Sequence, residues 1–524
     1  MLTRREALRS AAASALALNL GRLAGALPDA AAASGVAGMN VVVFLTDQER
    51  AIQHFPPGWA RDNLPGADRL RQHGVTFENA FTNGCMCSPA RSTWMSGYVP
   101  AQHGVKDTLE DDMHPPRTPQ VQLSTSFRNI ASVVAAAGYN PVYKGKWHIN
   151  KPAGGTARPA DVAKYGFGRW NPPDAGANQD VDQAGGGTTN NDGRYMNSVG
   201  SAEAGTEGVL QYLSTEAARQ QPFCLVVSLV NPHDVLSYPT NFTAFGYDNS
   251  WLAGNIDVPA TIDEDLSTKP WVQKQFLKIF NQTGQLSTRQ MQRAYLNFYG
   301  NLMKSSDAYL VQVLDKLQQT GLLENTLVIK TADHGEMGLA HGGLRQKNFN
   351  FYEESLRVPL VYSNPRLYPT PRRTKALVSH VDFLPTLASL VRAPRRARSP
   401  WQGVDYSRLV LNPSGRPTQD YIVFTYDDYQ SGQSHGPYPQ PPNHVRSIRE
   451  ARYKLAEYYD PSGKRASQWE MYDLKRDPLE RKNLTANHYR RTSEEERQYL
   501  RLRRKLARVR ATRLRPLYYG AAAA

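Results

Sequence analysis

The chain is poor in cysteine: its 524 residues carry three, Cys85, Cys87 and Cys224. An odd count leaves at least one thiol unpaired within the chain, and a chain this long can bury a large core without a disulfide scaffold. No run of 18 or more apolar residues occurs, which excludes a multi-span membrane protein. No internal repeat is present, and no nucleic-acid recognition motif accompanies the net charge of +15. Hydrophobic residues make up 40% and charged residues 21%, which excludes a mainly disordered chain or a collagen.

The positive charge is local. From Arg490 to Arg515 there are eleven Lys/Arg and three Glu, so +8 of the +15 sits in one C-terminal segment. Ser493 to Glu496 has capping-box spacing, and Tyr499, Leu502, Leu506 and Val509 recur at helical intervals. The segment reads as a docked helix with a solvated basic face, the alternative being a contact for an anionic polymer or membrane surface. At the other end, Thr3-Arg4-Arg5 precedes a soft Ala/Leu stretch, interrupted by Arg22, and Ala-x-Ala sites around Ala30–Ala33. This pattern predicts a twin-arginine export signal over residues 1–36 and a periplasmic or extracellular protein that crosses the membrane folded.

Between these ends, β-rich runs pass directly into polar residues. Val41–Leu45 leads into Asp47-Gln48, Tyr139–Tyr143 into Lys146-Trp147-His148, Phe223–Val230 into His233-Asp234, and Leu327–Lys330 into Asp333-His334. Helical patterns intervene, as at Ser126–Ala137 and Arg293–Leu317. Near-continuous apolar strands alternating with helices predict an α/β fold, its mostly parallel sheet covered on both faces. Ligands bind such sheets beyond the carboxyl ends of the strands, where all four polar clusters lie. Trp170–Arg194 and Ser431–Asn443 read as loops, and Arg392–Arg398 as a linker. The domain expectation is therefore 37–400 for a catalytic unit and 401–524 for a smaller unit with strands at Tyr421–Tyr426 and Tyr453–Tyr459.

The strand-end residues suggest chemistry. Asp47, Gln48, Asp333 and His334 offer two carboxylates, an amide oxygen and an imidazole, suited to Ca²⁺, Mg²⁺ or Mn²⁺, with the His pulling toward Mn²⁺ or Zn²⁺. In Cys87-Ser88-Pro89-Ala90-Arg91 the proline suits the first turn of a helix. That places Cys87 at a helix N-terminus with Arg91 one turn on, a setting that activates a thiolate or binds an anionic ester. Lys146, His148, His233 and Lys347 would complete a positive pocket for a tetrahedral oxyanion. The residues alone thus point to a metal-assisted hydrolase of anionic esters.

Cys87-Ser88-Pro89-Ala90-Arg91 through Gly97 resembles the signature of the type I sulfatases of the alkaline phosphatase superfamily. Gly145-Lys146-Trp147-His148, Asn231-Pro232-His233, Asp333-His334-Gly335-Glu336, His341-Gly342, Lys347, Tyr352–Ser355, Arg357–Leu360 and Asp382–Thr386 follow in that family's order. Tyr453-Lys454-Leu455 and Met471–Leu474 extend the resemblance, which runs from about Met39 to Leu484. It implies an alkaline phosphatase-like large domain and a smaller C-terminal α+β domain with an antiparallel sheet. It also implies one divalent metal, Ca²⁺ first, and conversion of Cys87 to formylglycine by a formylglycine-generating enzyme. On that pattern the hydrated aldehyde attacks the sulfur of a small-molecule or saccharide sulfate ester. Arg91 holds the formylglycine, Lys146 and Lys347 neutralise sulfate oxygens, His233 protonates the leaving alcohol and His148 deprotonates the second hydroxyl. Gln48 departs from the Asp-Asp of many sulfatases and resembles the phosphonate monoester hydrolase and choline-sulfatase branches. A phosphonate or phosphodiester hydrolase is therefore the alternative activity. Tyr426, Asp427, Asp428, Tyr429 and His435 are candidates to overhang the pocket.

Overall fold

The computed structural model describes residues 35–517, apart from 52–53, 110–119, 153–154, 179 and 434–435. The expected export signal thus lies almost wholly outside the described residues, as does His435. Val36 is already fully buried, so the core begins just before the expected boundary at residue 37.

The strands of the first half are β1 (Asn40–Thr46), β2 (Gly74–Phe81), β3 (Gly84–Cys85), β4 (Asn140–Gly145), β5 (Phe223–Ser228) and β6 (Thr326–Ala332). Those of the second are β7 (Leu360–Ser363), β8 (Arg372–Ser379), β9 (Tyr421–Tyr426), β10 (His444–Glu450), β11 (Tyr453–Tyr459) and β12 (Gln468–Asp473). The large sheet has the order β4-β5-β1-β6-β7-β2-β8, and only β7 runs against its neighbours. The four apolar runs read from the sequence are its adjacent parallel strands β4, β5, β1 and β6. Val41–Leu45 pair with Cys224–Ser228 on one side and Leu327–Thr331 on the other. Strand side chains alternate between faces. Val41, Val43 and Leu45 accordingly pack with Trp94, Val133, Val134 and Phe383, whereas Val42 and Phe44 pack with Leu310, Val313, Leu314 and Leu317. Both faces are dry, which explains why β1 is apolar without alternation.

The helices differ from their patterns mainly at the ends. The Ser126–Ala137 pattern gives a helix only over Ile130–Ala136, because Asn129 and Ser132 form a reciprocal cap there. The Arg293–Leu317 pattern extends to Arg289–Gln319, capped by Thr288. The loop expected over Trp170–Arg194 ends early, in a helix over Asn191–Asn197 capped by Asn190. The basic helix spans Ser493–Ala511, and its capping box is Thr492/Glu495, one residue before the expected Ser493/Glu496. Thr492 N donates to Glu495 Oε2 at 2.7 Å, and Glu495 N donates back to Thr492 Oγ1 at 3.3 Å.

The second sheet has the order β12-β11-β10-β9-β3. Its four C-terminal strands are antiparallel, and the basic helix lays Leu502, Leu506 and Val509 on Val423, Ile448, Leu455 and Met471. A fifth strand from the first part of the chain makes the sheet mixed: Gly84–Cys85 joins it parallel to β9. The chain therefore leaves the large sheet at β2, is clamped in the small sheet at β3, and enters the Cys87–Ser96 helix directly.

Candidate active site

All ten residues singled out as catalytic or metal-binding are buried. The structure gathers them from four strand ends, the Cys87–Ser96 helix and the segment carrying Lys347. Asp47 and Gln48 follow β1 and Asp333 and His334 follow β6, adjacent parallel strands. Pairing of Thr46 with Ala332 is what brings the two dipeptides together. Ligand atoms of Asp47, Cys87, Asp333 and His334 all lie within 4.8 Å of one another. Cys87 Sγ stands 3.1 Å from His334 Nε2 and 3.5 Å from Asp47 Oδ1. Gln48 and His148 adopt positive φ, 70° and 55°, turning the chain sharply where each strand run ends. Gly145 has φ 93° and a Cβ there would meet Ser228 O at 2.0 Å, so only glycine lets β4 close on β5 at this point.

Two buried carboxylates side by side need positive charge. Arg91 supplies it: Nε donates to Asp333 Oδ2 at 2.9 Å and Nη2 to Asp47 Oδ2 at 3.1 Å. Its Nη1 donates to Lys146 O and Ser228 Oγ, which ties the guanidinium to β4 and β5. Arg91 is thus a brace for the carboxylate pair. Lys146 Nζ pairs with Asp47 Oδ2 at 2.6 Å and donates to Gly176 O at 2.5 Å. Burial alone would raise Asp47, but the Lys146 ammonium and the Arg91 guanidinium outweigh it and hold the carboxyl well below its ordinary range. Burial and the neighbouring Asp47 push Asp333 up to about 7. Repulsion within the pair is what a bound cation relieves.

The imidazoles are neutral. Burial, then Lys347, drives His334 well below its ordinary value; Nδ1 faces Gly335 O at 3.1 Å, which leaves the Nε2 lone pair toward the carboxylates. That donor set, two carboxylate oxygens and an available imidazole nitrogen beside the Gln48 amide, fits a divalent metal ion. His148 has the opposite tautomer. Its Nε2 donates to Leu109 O at 2.6 Å, and its buried Nδ1 has no hydrogen-bond partner among the described residues. Burial, then Lys146, also depresses His148 and His233. Lys347 Nζ donates to Gln48 Oε1 at 2.5 Å.

Cys87 itself is the first residue of its helix, as the proline spacing predicts. Burial and Asp47 push the thiol up to about 12, so it stays protonated. The other two cysteines are buried and free.

Several supporting groups had no sequence signal. Asp174, inside the stretch read as loop, accepts from the backbone N–H groups of Trp147 and His148 and so fixes that turn. A side chain that holds backbone amides leaves no spacing to detect. Glu336, part of the Asp333–Glu336 motif but with no role read from it, accepts from Gln48 Nε2 at 2.6 Å. Of the overhang candidates, Asp428 accepts from Thr108 N and Oγ1, and Tyr426 OH from Asn348 Nδ2. The same loop brings Gly432 against Met86, the residue before Cys87.

With this geometry in view, the chain matches two family models: Sulfatase over residues 39–393, and N-sulphoglucosamine sulphohydrolase, C-terminal, over residues 341–511. It is 26% identical to the choline-sulfatase of Rhizobium meliloti, over 86% of this chain and 82% of that protein. It is 24% identical to a Delta 4,5-hexuronate-2-O-sulfatase of Bacteroides thetaiotaomicron, over 80% and 78%. Among solved structures, a 2-O GAG sulfatase superposes with TM-score 0.68 at 22% identity, covering 91% of this chain and 92% of that one. The phosphonate monoester hydrolase of Agrobacterium radiobacter superposes with TM-score 0.62 at 20% identity, covering 91% and 96%.

Proposed function

Because this chain belongs to the sulfatase family of the alkaline phosphatase superfamily and is a sulfuric ester hydrolase, we propose that it works through formylglycine at position 87 beside one divalent metal ion. The observation that carries this reading is the placement of Cys87 Sγ against Asp47 Oδ1 and His334 Nε2, with a thiol too basic to act as a thiolate. Asp47, Gln48, Asp333 and His334 would hold the metal, Ca²⁺ by the oxygen-rich donor set, with Mn²⁺, Mg²⁺ and Zn²⁺ as alternatives. Formylglycine and metal together supply a hydrated-aldehyde nucleophile for sulfur.

The chain's own residues do the rest. An ammonium has three protons. Lys146 uses two, on Asp47 and Gly176 O, and turns the third to a sulfate oxygen. Lys347, anchored on Gln48 Oε1, does the same from the other side. His148 Nδ1, buried and unpartnered among the described residues, takes a proton from the hydroxyl at position 87 as sulfate leaves. His233 gives its proton to the departing alcohol. Its neutral resting state follows from burial and Lys146, and the negative charge of an arriving ester favours its protonation. Arg91 keeps both carboxylates in place throughout.

A formylglycine-generating enzyme is the implied partner, and residues 1–36 would carry the finished protein out of the cytoplasm by the twin-arginine route. The substrate is a small-molecule or saccharide sulfate monoester. The test is a parallel assay of an aryl sulfate, an aryl phosphonate monoester and an aryl phosphate, with the mass of the peptide bearing residue 87 measured on the same preparation. Fastest release of sulfate with an aldehyde at 87 is the expected result. Faster phosphonate cleavage would move the activity to the branch that Gln48 resembles. An aldehyde with no turnover of any ester would sink the mechanism.

A further inference from the structure

Position 48 holds a neutral amide where a carboxylate would add charge to the site. A buried amide has two faces, and which one meets the carboxylate pair depends on its neighbours. Here the neighbours leave no choice. Gln48 Nε2 lies 2.6 Å from Glu336 Oε2, and Gln48 Oε1 lies 2.5 Å from Lys347 Nζ. A carboxylate only accepts and an ammonium only donates, so the amide oxygen must face Lys347, whose charge acts on His334 and Cys87, and the amide nitrogen must face Glu336. Glu336 is itself fully buried, and its other oxygen is occupied. Glu336 Oε1 accepts from Tyr295 OH at 2.6 Å, Gln346 N at 2.9 Å and Gly338 N at 3.2 Å. Only Oε2 remains for position 48.

We propose that Glu336 is a positioning residue that locks the amide of Gln48, one of the four metal-holding residues, with its oxygen toward Lys347, and that Gln48 and Glu336 form one unit whose polarity cannot be changed at either end alone. The negative charge absent from position 48 thus stands one hydrogen bond behind it. The proposal rests on the reading of the cluster as a metal site. In Glu336→Gln, the new amide keeps its oxygen on Tyr295 and Gln346, so its NH₂ meets the NH₂ of Gln48. Flipping Gln48 would only turn that NH₂ onto the Lys347 ammonium. In Gln48→Glu, two carboxylate oxygens meet at the same contact. The double exchange, Gln48→Glu with Glu336→Gln, reverses the bond and satisfies every group again.

The experiment reads cation binding without turnover: the thermal midpoint of the full chain titrated with Ca²⁺ and, in parallel, with Mn²⁺. Each single variant is expected to bind roughly 10–100-fold more weakly, the loss usual for a partner that orients a metal ligand. The double variant is expected to return to within about threefold of the parent. A Glu336→Gln variant that binds like the parent would overturn the proposal, as would a double variant no better than its worse single. Should one single fail to fold, the double variant still decides: binding near the parent supports the proposal, and absence of binding refutes it. A parent chain that responds to neither cation would overturn the metal reading and the proposal together, whereas the other negative results strike the proposal alone.

Discussion

Two buried clusters in this molecule draw on the same residue types and do opposite things with them. One is the strand-end site around Asp47, Asp333 and His334. The other ties β10 and β11 of the second sheet to residues 264–269 and 341–354 and contains His341, Glu264, Glu354, Glu353 and Glu480 with Lys269, Lys454 and Arg449. Both bring His and carboxylates within metal-ligating distance. In the first, burial and the nearby lysine keep His334 neutral, with a lone pair toward the carboxylates. In the second, Glu264 and Glu354 overcome burial and push His341 up to about 9, so it is a cation and not a ligand. His341 Nδ1 meets Glu264 Oε2 at 2.7 Å, Lys454 Nζ meets Glu480 Oε1 at 2.7 Å, and Arg449 grips both oxygens of Glu353. Carboxylates around a charged imidazole make a staple; two carboxylates beside a neutral imidazole with an available lone pair make a donor set for a ligand. The protonation state of the imidazole, more than residue type, separates a site from a support.

The sharpest way to break this comparison is at Cys87. Cys87→Ala is expected to lower ester turnover on the order of 10³-fold or more while leaving the thermal midpoint near that of the parent, checked by initial rates and calorimetry on one preparation. A comparable loss at the second cluster without unfolding would erase the distinction. Next comes the staple itself. Arg449→Leu removes both short hydrogen bonds of Glu353, in a pair only 6% exposed on each side, and leaves it Lys454 Nζ at 3.4 Å; it is expected to cost about 3 kcal/mol in denaturant unfolding. The third effect is in pH. His341 has its folded value raised from 6.5 to about 9, so its contribution is complete below pH 6.5 and is lost as pH rises through about 9. His341→Gln should therefore flatten the stability profile between those limits, by no more than about 3 kcal/mol. A variant whose profile still falls in parallel with the parent's would show that His341 is not charged. The smallest effect is on the basic helix. Arg501 and Lys505 both reach Glu450 across to β10, but Arg501 is partly exposed, so Arg501→Ala should cost under about 1 kcal/mol.

The basic helix also shows how charge misleads. Its arginines look like a polyanion contact in sequence. In the structure many are engaged: Arg501 and Lys505 with Glu450, Arg497 with Glu494, and Arg503 over the Trp469 ring. The apolar stripe was visible because its spacing is local. The capping box was misplaced by one residue because Thr492 and Ser493 are adjacent candidates, and only the bonds to Glu495 choose between them.

Much of the fold and site could be read from residue order. Four continuous apolar runs ending in polar residues announced β1, β4, β5 and β6, since a strand dry on both faces has no polar positions to spare. Site membership followed, because side chains at the carboxyl ends of adjacent parallel strands converge. The clamp of Gly84–Cys85 into the second sheet had no signal, being two residues long and paired with a strand more than 300 positions away. Asp174 and Glu336 were equally silent as partners, because they act on a turn and an amide supplied by distant segments.

The sequence by itself determined the strand runs, the cluster at their ends, the helix start at Cys87 and the family pattern, all of which depend on local periodicity and on residue types in order. Tertiary structure alone decided that the Cys87 thiol stays protonated, that His334 is neutral and His341 charged, that Arg91 braces two carboxylates, and that the Gln48 amide has one orientation. Those properties are set by burial and by charges a few ångströms away in space, brought there from segments hundreds of residues apart.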